Sequence, residues 1–196
     1  MEFLIDKEEF VRGLFRSQSV VEKKGTMPIL LNVLIETKET GISITATDLE
    51  VGIKGFYTAN VKKPGSTTLS AKKLYEVVKE LPEKNVSFRL KENHWAEISS
   101  GKSLFNIMGI SPETFPSFPA FEEEDFISLE SALLREMVDK TLFAVSTDES
   151  RYNLTGVFFK RQGAEEGKIL RMVATDGYRL SLIDRPMKME IQGLES

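Results

Sequence analysis

Met172-Val173-Ala174-Thr175-Asp176-Gly177-Tyr178-Arg179-Leu180-Ser181-Leu182-Ile183 reads as a strand, a turn and a second strand. Asp176-Gly177 is a strong turn signal, because glycine accepts φ > 0 without a Cβ clash. Beyond it, Tyr178, Leu180 and Leu182 alternate with Arg179, Ser181 and Ile183, the two-residue period of a strand. The stretch has an echo. Ser43-Ile44-Thr45-Ala46-Thr47-Asp48-Leu49-Glu50-Val51 carries the same Ala-Thr-Asp and again leads into a strand. An internal repeat fixes the architecture before any single motif does.

The segments around the echo extend it. Phe3-Leu4-Ile5 is a short strand, and Asp6 stands three residues before Glu9, a capping-box-like helix start with carboxylates at the positive end of the dipole. The helix places Phe10, Val11, Leu14 and Phe15 on one stripe, with Arg12 and Arg16 on its polar face and Lys7 nearby. Two arginines on a helix are by themselves ordinary solvated surface. Lys23-Lys24-Gly25 is a basic loop, and Pro28 opens a strand running through Ile35. Ile42, Ile44 and Ala46 alternate with Ser43, Thr45 and Thr47 as in a half-buried antiparallel strand, and residues 51–56 continue the sheet. The unit is strand, helix, three strands.

A second unit follows without obvious identity to the first. Thr67-Thr68-Leu69 is a strand, Ser70 an N-cap, and the helix carries Leu74, Tyr75, Val77, Val78 and Leu81 until Pro82 ends it. Strands are expected at 86–90, 95–98 and 104–110, with Trp95 in the core or on a sheet face. Residues 111–125 break the composition: Pro112, Pro116 and Pro119, with Phe115, Phe118 and Phe121 three apart, then an acidic run. The prolines favour a stiff, extended linker that the aromatics can pin to a neighbouring sheet. Residues 1–124 are expected to form a first domain and 125–196 the first half of a second.

The third unit restarts the pattern with a strand at 126–129, a helix carrying Leu133, Leu134, Met137, Val138, Leu142 and Val145, and a strand at 154–159. Asn32 falls over Gly156, an offset of 124 that also puts Phe10 over Leu134 and Val33 over Val157. Ala46 falls over Ala174, an offset of 128, so the later loop is four residues longer. Loops absorb such insertions cheaply. The fold class is therefore α+β, built from repeated β-α-β-β-β units.

Composition narrows the function classes. At 196 residues, 41% hydrophobic and 29% charged, the chain has the make-up of a soluble globular protein. No run is long enough to span a bilayer, and the N-terminus lacks the basic start of a signal peptide. With no cysteine there is no disulfide and no thiolate metal site, which fits a reducing compartment. The one histidine, His94, lies in a polar turn. A net charge of −4 argues against coating nucleic acid by bulk charge but leaves room for a local basic surface.

Met27-Pro28-Ile29-Leu30-Leu31-Asn32-Val33, Thr47-Asp48-Leu49-Glu50, Arg151-Tyr152-Asn153-Leu154-Thr155-Gly156 and Val173-Ala174-Thr175-Asp176-Gly177-Tyr178-Arg179-Leu180 together resemble the bacterial sliding-clamp family, the beta subunit of DNA polymerase III. The resemblance runs from Met1 to the last residue. It implies the DNA clamp fold, with antiparallel sheets outside and helices on a concave face. It also implies three domains of two units per chain, two chains closing head-to-tail into a ring. This chain would then stop halfway through the second domain and lack the third. An exposed sheet edge and helix face are expected there, and no closed ring from this chain alone.

The implied function is that of a non-enzymatic processivity factor, encircling duplex DNA and tethering its partners through a peptide-binding groove. By the resemblance Lys7, Arg12 and Arg16 face the hole, and Lys24, Tyr152 and Asn153 lie where family members touch the duplex. Asp148 and Glu149 beside Tyr152 depart from that pattern and make the loop acidic. Contacts to phosphates rather than bases would be sequence-independent and salt-dependent. Arg151, Leu154, Thr175, Gly177, Tyr178, Arg179 and Leu180 match the groove for linear motifs of the polymerase III catalytic subunit, clamp loader and repair polymerases. Lys73, Val77, Leu81, Phe105 and Ile107 correspond to the first-domain side of the homodimer interface, although some fit the core equally well. No cofactor or metal and no membrane partner is implied, and the location would be cytoplasmic. Two other classes stay open: an enzyme using carboxylates such as Asp48 and Asp176, and a peptide-binding adaptor of the same fold that does not act on DNA.

Overall fold

The computed structural model describes residues 1–21, 27–118, 129–162 and 169–186. They fall into two compact units, Met1–Pro119 and Ala120–Ser196. In the first, β1 (Glu2–Asp6) leads into α1 (Lys7–Ser17), then β2 (Asn32–Lys38), β3 (Gly41–Thr47) and β4 (Gly52–Lys63). The pattern then repeats as β5 (Ser66–Ser70), α2 (Ala71–Glu80), β6 (Asn85–Leu90), β7 (Trp95–Ser100) and β8 (Ser103–Met108).

All eight strands form one antiparallel sheet in the order β5-β2-β3-β4-β1-β6-β7-β8. Each unit's first strand pairs with the other unit: β1 lies between β4 and β6, and β5 lies on β2. The two outer ends meet through a single antiparallel bridge, Thr68 to Ile110, in which Ile110 N–H donates to the Thr68 carbonyl at 3.1 Å.

The capping signals work as expected. Asp6 accepts from the N–H groups of Glu8 and Glu9, and the Ser70 hydroxyl from that of Lys73. Such caps satisfy the free N–H groups of a first helical turn. The core lies between the sheet and the paired helices and includes Phe3, Phe10, Leu14, Val33, Ile44, Leu74, Val78 and Phe88. Phe3 stacks on Phe88 at 4.7 Å and meets Phe10 edge-on. Gly13 lets α1 approach the sheet, since a Cβ there would meet the Tyr57 ring at 2.7 Å.

Several expectations need correction. Pro28 does not open a strand. Pro28–Leu31 is a 3₁₀ turn, which proline's fixed φ suits, and β2 begins at Asn32. Phe15 leaves the buried stripe and lies 62% exposed, tilted against Tyr75 of α2. Ser43 and Thr45 are buried as fully as Ile42 and Ile44, so β3 is not half-buried. Trp95, by contrast, lies on the sheet face, one of the two places expected for it, and is exposed there.

In the second unit α3 (Ser131–Asp139) is followed by β9 (Phe158–Gln162), β10 (Ile169–Thr175) and β11 (Leu180–Pro186), an antiparallel sheet ordered β11-β10-β9. The strand expected at 126–129 lies outside the described residues except for Leu129, which packs on the core of Met137, Leu170, Met172 and Ile183. The helix is shorter than expected. It ends at Asp139, and Leu142–Ala144 is a separate 3₁₀ turn that leaves Leu142 and Phe143 exposed. Leu154 ends another 3₁₀ turn, Glu149–Leu154, rather than opening β9. Among the described residues β9 pairs only with β10.

The offset of 124 holds in the hydrogen bonds. Ser17 Oγ donates to the Gly13 carbonyl at 3.0 Å, and 124 residues on Thr141 Oγ1 donates to the Met137 carbonyl at 2.8 Å.

Candidate functional site

The two Ala-Thr-Asp hairpins are built alike. Asp48 Oδ1 accepts from Glu50 N–H at 3.0 Å and Val51 N–H at 2.7 Å; Asp176 Oδ1 accepts from Tyr178 and Arg179 N–H, both at 3.0 Å. Thr47 Oγ1 donates to the Val51 carbonyl at 2.9 Å, and Thr175 Oγ1 to that of Arg179 at 2.7 Å. Leu49 and Gly177 hold the same left-handed position, at φ 79° and 89°. In both turns the backbone donors stabilise the carboxylate, so Asp48 and Asp176 ionise below their ordinary value. Both aspartates are thus engaged in turn chemistry.

Around the second hairpin the expected groove residues come together. Arg151 Nη1 donates to the Asp176 carbonyl at 3.2 Å, Nε lies 3.5 Å from Asp148, and the guanidinium stands 5.8 Å from the Tyr178 ring. Gly177 leaves room for that approach, since a Cβ would lie 3.1 Å from Arg151 Nη1. Arg179 bonds Asp176 Oδ2 at 2.9 Å and the Phe143 carbonyl at 2.7 Å, over the Phe143 ring. Tyr178 and Leu180 project into solvent. A pocket of about 400 Å³ opens beside the turn, lined among others by Tyr152, Asn153, Leu154, Phe158, Val173 and Thr175.

Apolar walls, fixed arginines and aligned backbone make a surface suited to an extended peptide. Sequence reasoning missed Phe143, Phe158 and Val173. The outward alternation of Phe158 with half-buried Phe159 was the available signal. Asp148 accepts from the Ser150 hydroxyl and N–H and ionises below its ordinary value. The loop therefore keeps its negative charge beside Tyr152 and Asn153, which are both exposed.

In the first unit Arg12 and Arg16 are exposed, Arg12 paired with Glu9. Lys7 differs from expectation: Nζ donates to the Leu81 carbonyl at 2.6 Å, so its charge serves the C-terminal end of α2. Lys24 lies outside the described residues. A shallow pocket of about 330 Å³ runs along this face past Val11, Phe15 and Lys79. The two helices carry six lysines and arginines against four glutamates, in a chain of net −4.

Of the expected interface residues, Lys73 and Phe105 are exposed and Val77 half-buried. Leu81 and Ile107 are corrections: at 1% and 7% exposure they belong to the first unit's core, because each sits on the inward face of its element. Phe105 lies on β8, an outer strand that also exposes Leu104 and Met108. A larger pocket of about 710 Å³ lies on β6 and β7 near Trp95. Its Arg89 and Lys91 are paired with Glu2 and Glu97.

Among the described residues no group of His, Cys, Asp or Glu could hold a metal, and no helix is long and apolar enough to cross a membrane.

The family description "DNA polymerase III beta subunit, N-terminal domain" matches residues 1–119, and "DNA polymerase III beta subunit, central domain" matches residues 128–195. The Beta sliding clamp of Halalkalibacterium halodurans is 34% identical over 196 residues, covering 96% of this chain and 50% of the relative. That of Chlamydia pneumoniae is 35% identical over 190 residues, covering 97% and 51%. Among solved structures, the DNA polymerase sliding clamp from Bacillus subtilis superimposes with a TM-score of 0.90 at 31% identity, over 97% of this chain and 51% of the other. The clamp from Caulobacter crescentus gives 0.87 at 34%, over 95% and 51%. The chain spans about half the length of the curated relatives it matches.

Proposed function

The chain belongs to the DNA polymerase III beta subunit family, and on that premise we propose that it is the first half of a clamp that encircles duplex DNA and tethers replication and repair proteins. Residues 1–124 form the first clamp domain on this reading, and residues 125–196 the first half of the second. The protein holds DNA by topology, which explains a net acidic chain whose two helices nevertheless carry a small excess of basic residues. Arg12 and Arg16, with Lys79, screen phosphates on that face without gripping them. Lys7 contributes less, being bound to Leu81. Tyr152 and Asn153 approach the duplex only where the charges of Asp148 and Glu149 are offset.

The observation that carries the reading is the open pocket beside the Asp176 turn, lined by Leu154, Phe158 and Val173 together with Tyr152, Asn153 and Thr175, next to a turn on which Arg151 and Arg179 are held by backbone carbonyls. It receives linear peptides of the polymerase catalytic subunit, clamp loader and repair polymerases. Lys73, Val77 and the β8 edge at Phe105 supply this chain's share of a homodimer contact. The activity is non-enzymatic and cytoplasmic.

Two measurements test it. The full-length protein carrying this chain, loaded onto plasmid, stays on circular DNA and is lost from linear DNA; equal loss from both removes the encircling reading. Peptides tiled across the replicative polymerase, titrated against the chain, include at least one that perturbs Leu154 and Leu180. If none does, the tethering reading falls.

A further inference from the structure

The open pocket of the second unit has a counterpart in the first that is filled. The offset of 124 carries Asn153 back to Ile29, Leu154 to Leu30 and Phe158 to Leu34. Ile29, Leu30 and Leu34 form a cluster with Phe115. The offset of 128 carries Leu180 back to Gly52 and Leu182 to Lys54. Phe118 lies on Gly52, so close that a Cβ there would meet its ring at 2.5 Å, and Lys54 Nζ stands 6.0 Å from the ring centroid. One short segment thus shelters Ile29, Leu30 and Leu34 under Phe115 and lays Phe118 on Gly52 and Lys54, which stay partly open to solvent, whereas in the second unit Phe158 is 58%, Leu180 64% and Leu182 48% exposed.

The segment is well anchored. Ile110 is bridged to Thr68, Ser111 Oγ accepts from Glu113 N–H, Phe115 N–H donates to the Pro112 carbonyl at 3.1 Å, and Pro116 restricts the path between the rings.

We propose that the first unit holds the same peptide groove in an occupied state, its ligand being the chain's own Phe115-Pro116-Ser117-Phe118, and that the open groove accepts an extended peptide with two bulky apolar side chains three residues apart. The inference rests on the peptide-groove reading of the second unit. The first side chain enters the pocket between Leu154 and Phe158, as Phe115 enters between Leu30 and Leu34. The second rests on Leu180 and Leu182. Those positions hold Gly52 and Lys54 in the first unit, so the open groove offers a wider apolar floor with leucine in place of the lysine under Phe118, and its second anchor is apolar without having to be aromatic.

The test is a titration of the octapeptide of residues 111–118 into the whole chain, followed by NMR shifts of assigned residues and by calorimetry. The peptide is expected to bind one site, shifting Leu154, Phe158, Leu180 and Leu182, and to lose at least about tenfold in affinity when both phenylalanines become alanine, given the area each ring buries. No shift at those residues, or equal affinity of the alanine peptide, overturns the proposal. In a chain carrying Phe115→Ala and Phe118→Ala the peptide is expected at two sites, the new one at Leu30, Leu34 and Lys54; a single site overturns the occupied groove. Should that variant not fold, the titration of the unaltered chain decides. If a polymerase peptide binds at Leu154 and Leu180 while the octapeptide does not, this inference alone fails. If neither binds, the groove reading fails with it.

Discussion

Leu49 and Gly177 occupy one position in two copies of one turn, and only one of them is suited to it. At φ 79° a leucine pays for the close approach of its Cβ to the following carbonyl, while glycine at 89° does not. Leu49 is exposed and offsets this with little burial. Leu49→Gly is therefore expected to stabilise the first unit by about 0.5–1 kcal/mol, the left-handed cost less glycine's chain entropy, measured by denaturant unfolding. Gly177→Ala is expected to destabilise by about 1 kcal/mol and to displace Arg151, weakening peptide binding more than stability; unchanged affinity would remove Arg151 from the groove. The Thr-Asp frame of both turns was readable because side chain and backbone bonding lie within five residues. Leucine at positive φ carries no local sequence signal, since nothing in the neighbouring residues sets Leu49 apart from an ordinary turn residue.

At the scale of elements, caps and strand order were readable, and the ends of elements were not. Asp6 and Ser70 announce α1 and α2, and Asp6→Ala is expected to cost about 1 kcal/mol, read as a lower unfolding midpoint. The early stop of α3 had no comparable mark, since Lys140, Thr141 and Leu142 suit a helix; Thr141 turns its hydroxyl back to Met137 and the chain leaves the axis. Leu81 and Ile107 were ambiguous because an inward interface residue and a core residue have the same apolar character. Thr67 is fully buried on β5 with no partner for its hydroxyl among the described residues. Thr67→Val keeps the shape and removes that orphan, so a gain of about 1–2 kcal/mol is expected; a loss would mean the hydroxyl is satisfied. Besides the Met137–Ile183 core, α3 and β11 share an ionic tie. Arg185 and Lys140 hold the Glu136 carboxyl down to about 2. A carboxylate held below its unfolded value stabilises the fold above that value, so this contribution is present above about pH 4.5 and fades as the pH falls toward 2. Glu136→Gln is expected to remove that part of the acid sensitivity from a melting series between pH 5 and 2.

For the whole molecule, the repeat was the strongest sequence signal, because duplication preserves hydrogen-bonding positions after most side chains have changed. The site was half readable: residues on the Asp176 hairpin are contiguous, whereas Phe143 and Phe158 reach it from other elements. The filling of the first groove by Phe115 and Phe118 was hidden for the same reason, the partners being more than sixty residues apart in sequence. The circle of eight strands in the first unit is fastened at one point, Thr68 to Ile110, whereas its other junctions are ladders of several residues. Such a circle unlatches at its fastening. The Ile110 amide should exchange with deuterium sooner than those of Ile5 or Ile35, and the segment bearing Phe115 and Phe118 begins one residue beyond that latch. Spontaneous opening of that bridge and unmasking of the filled groove would then be the same event, with one rate constant for both.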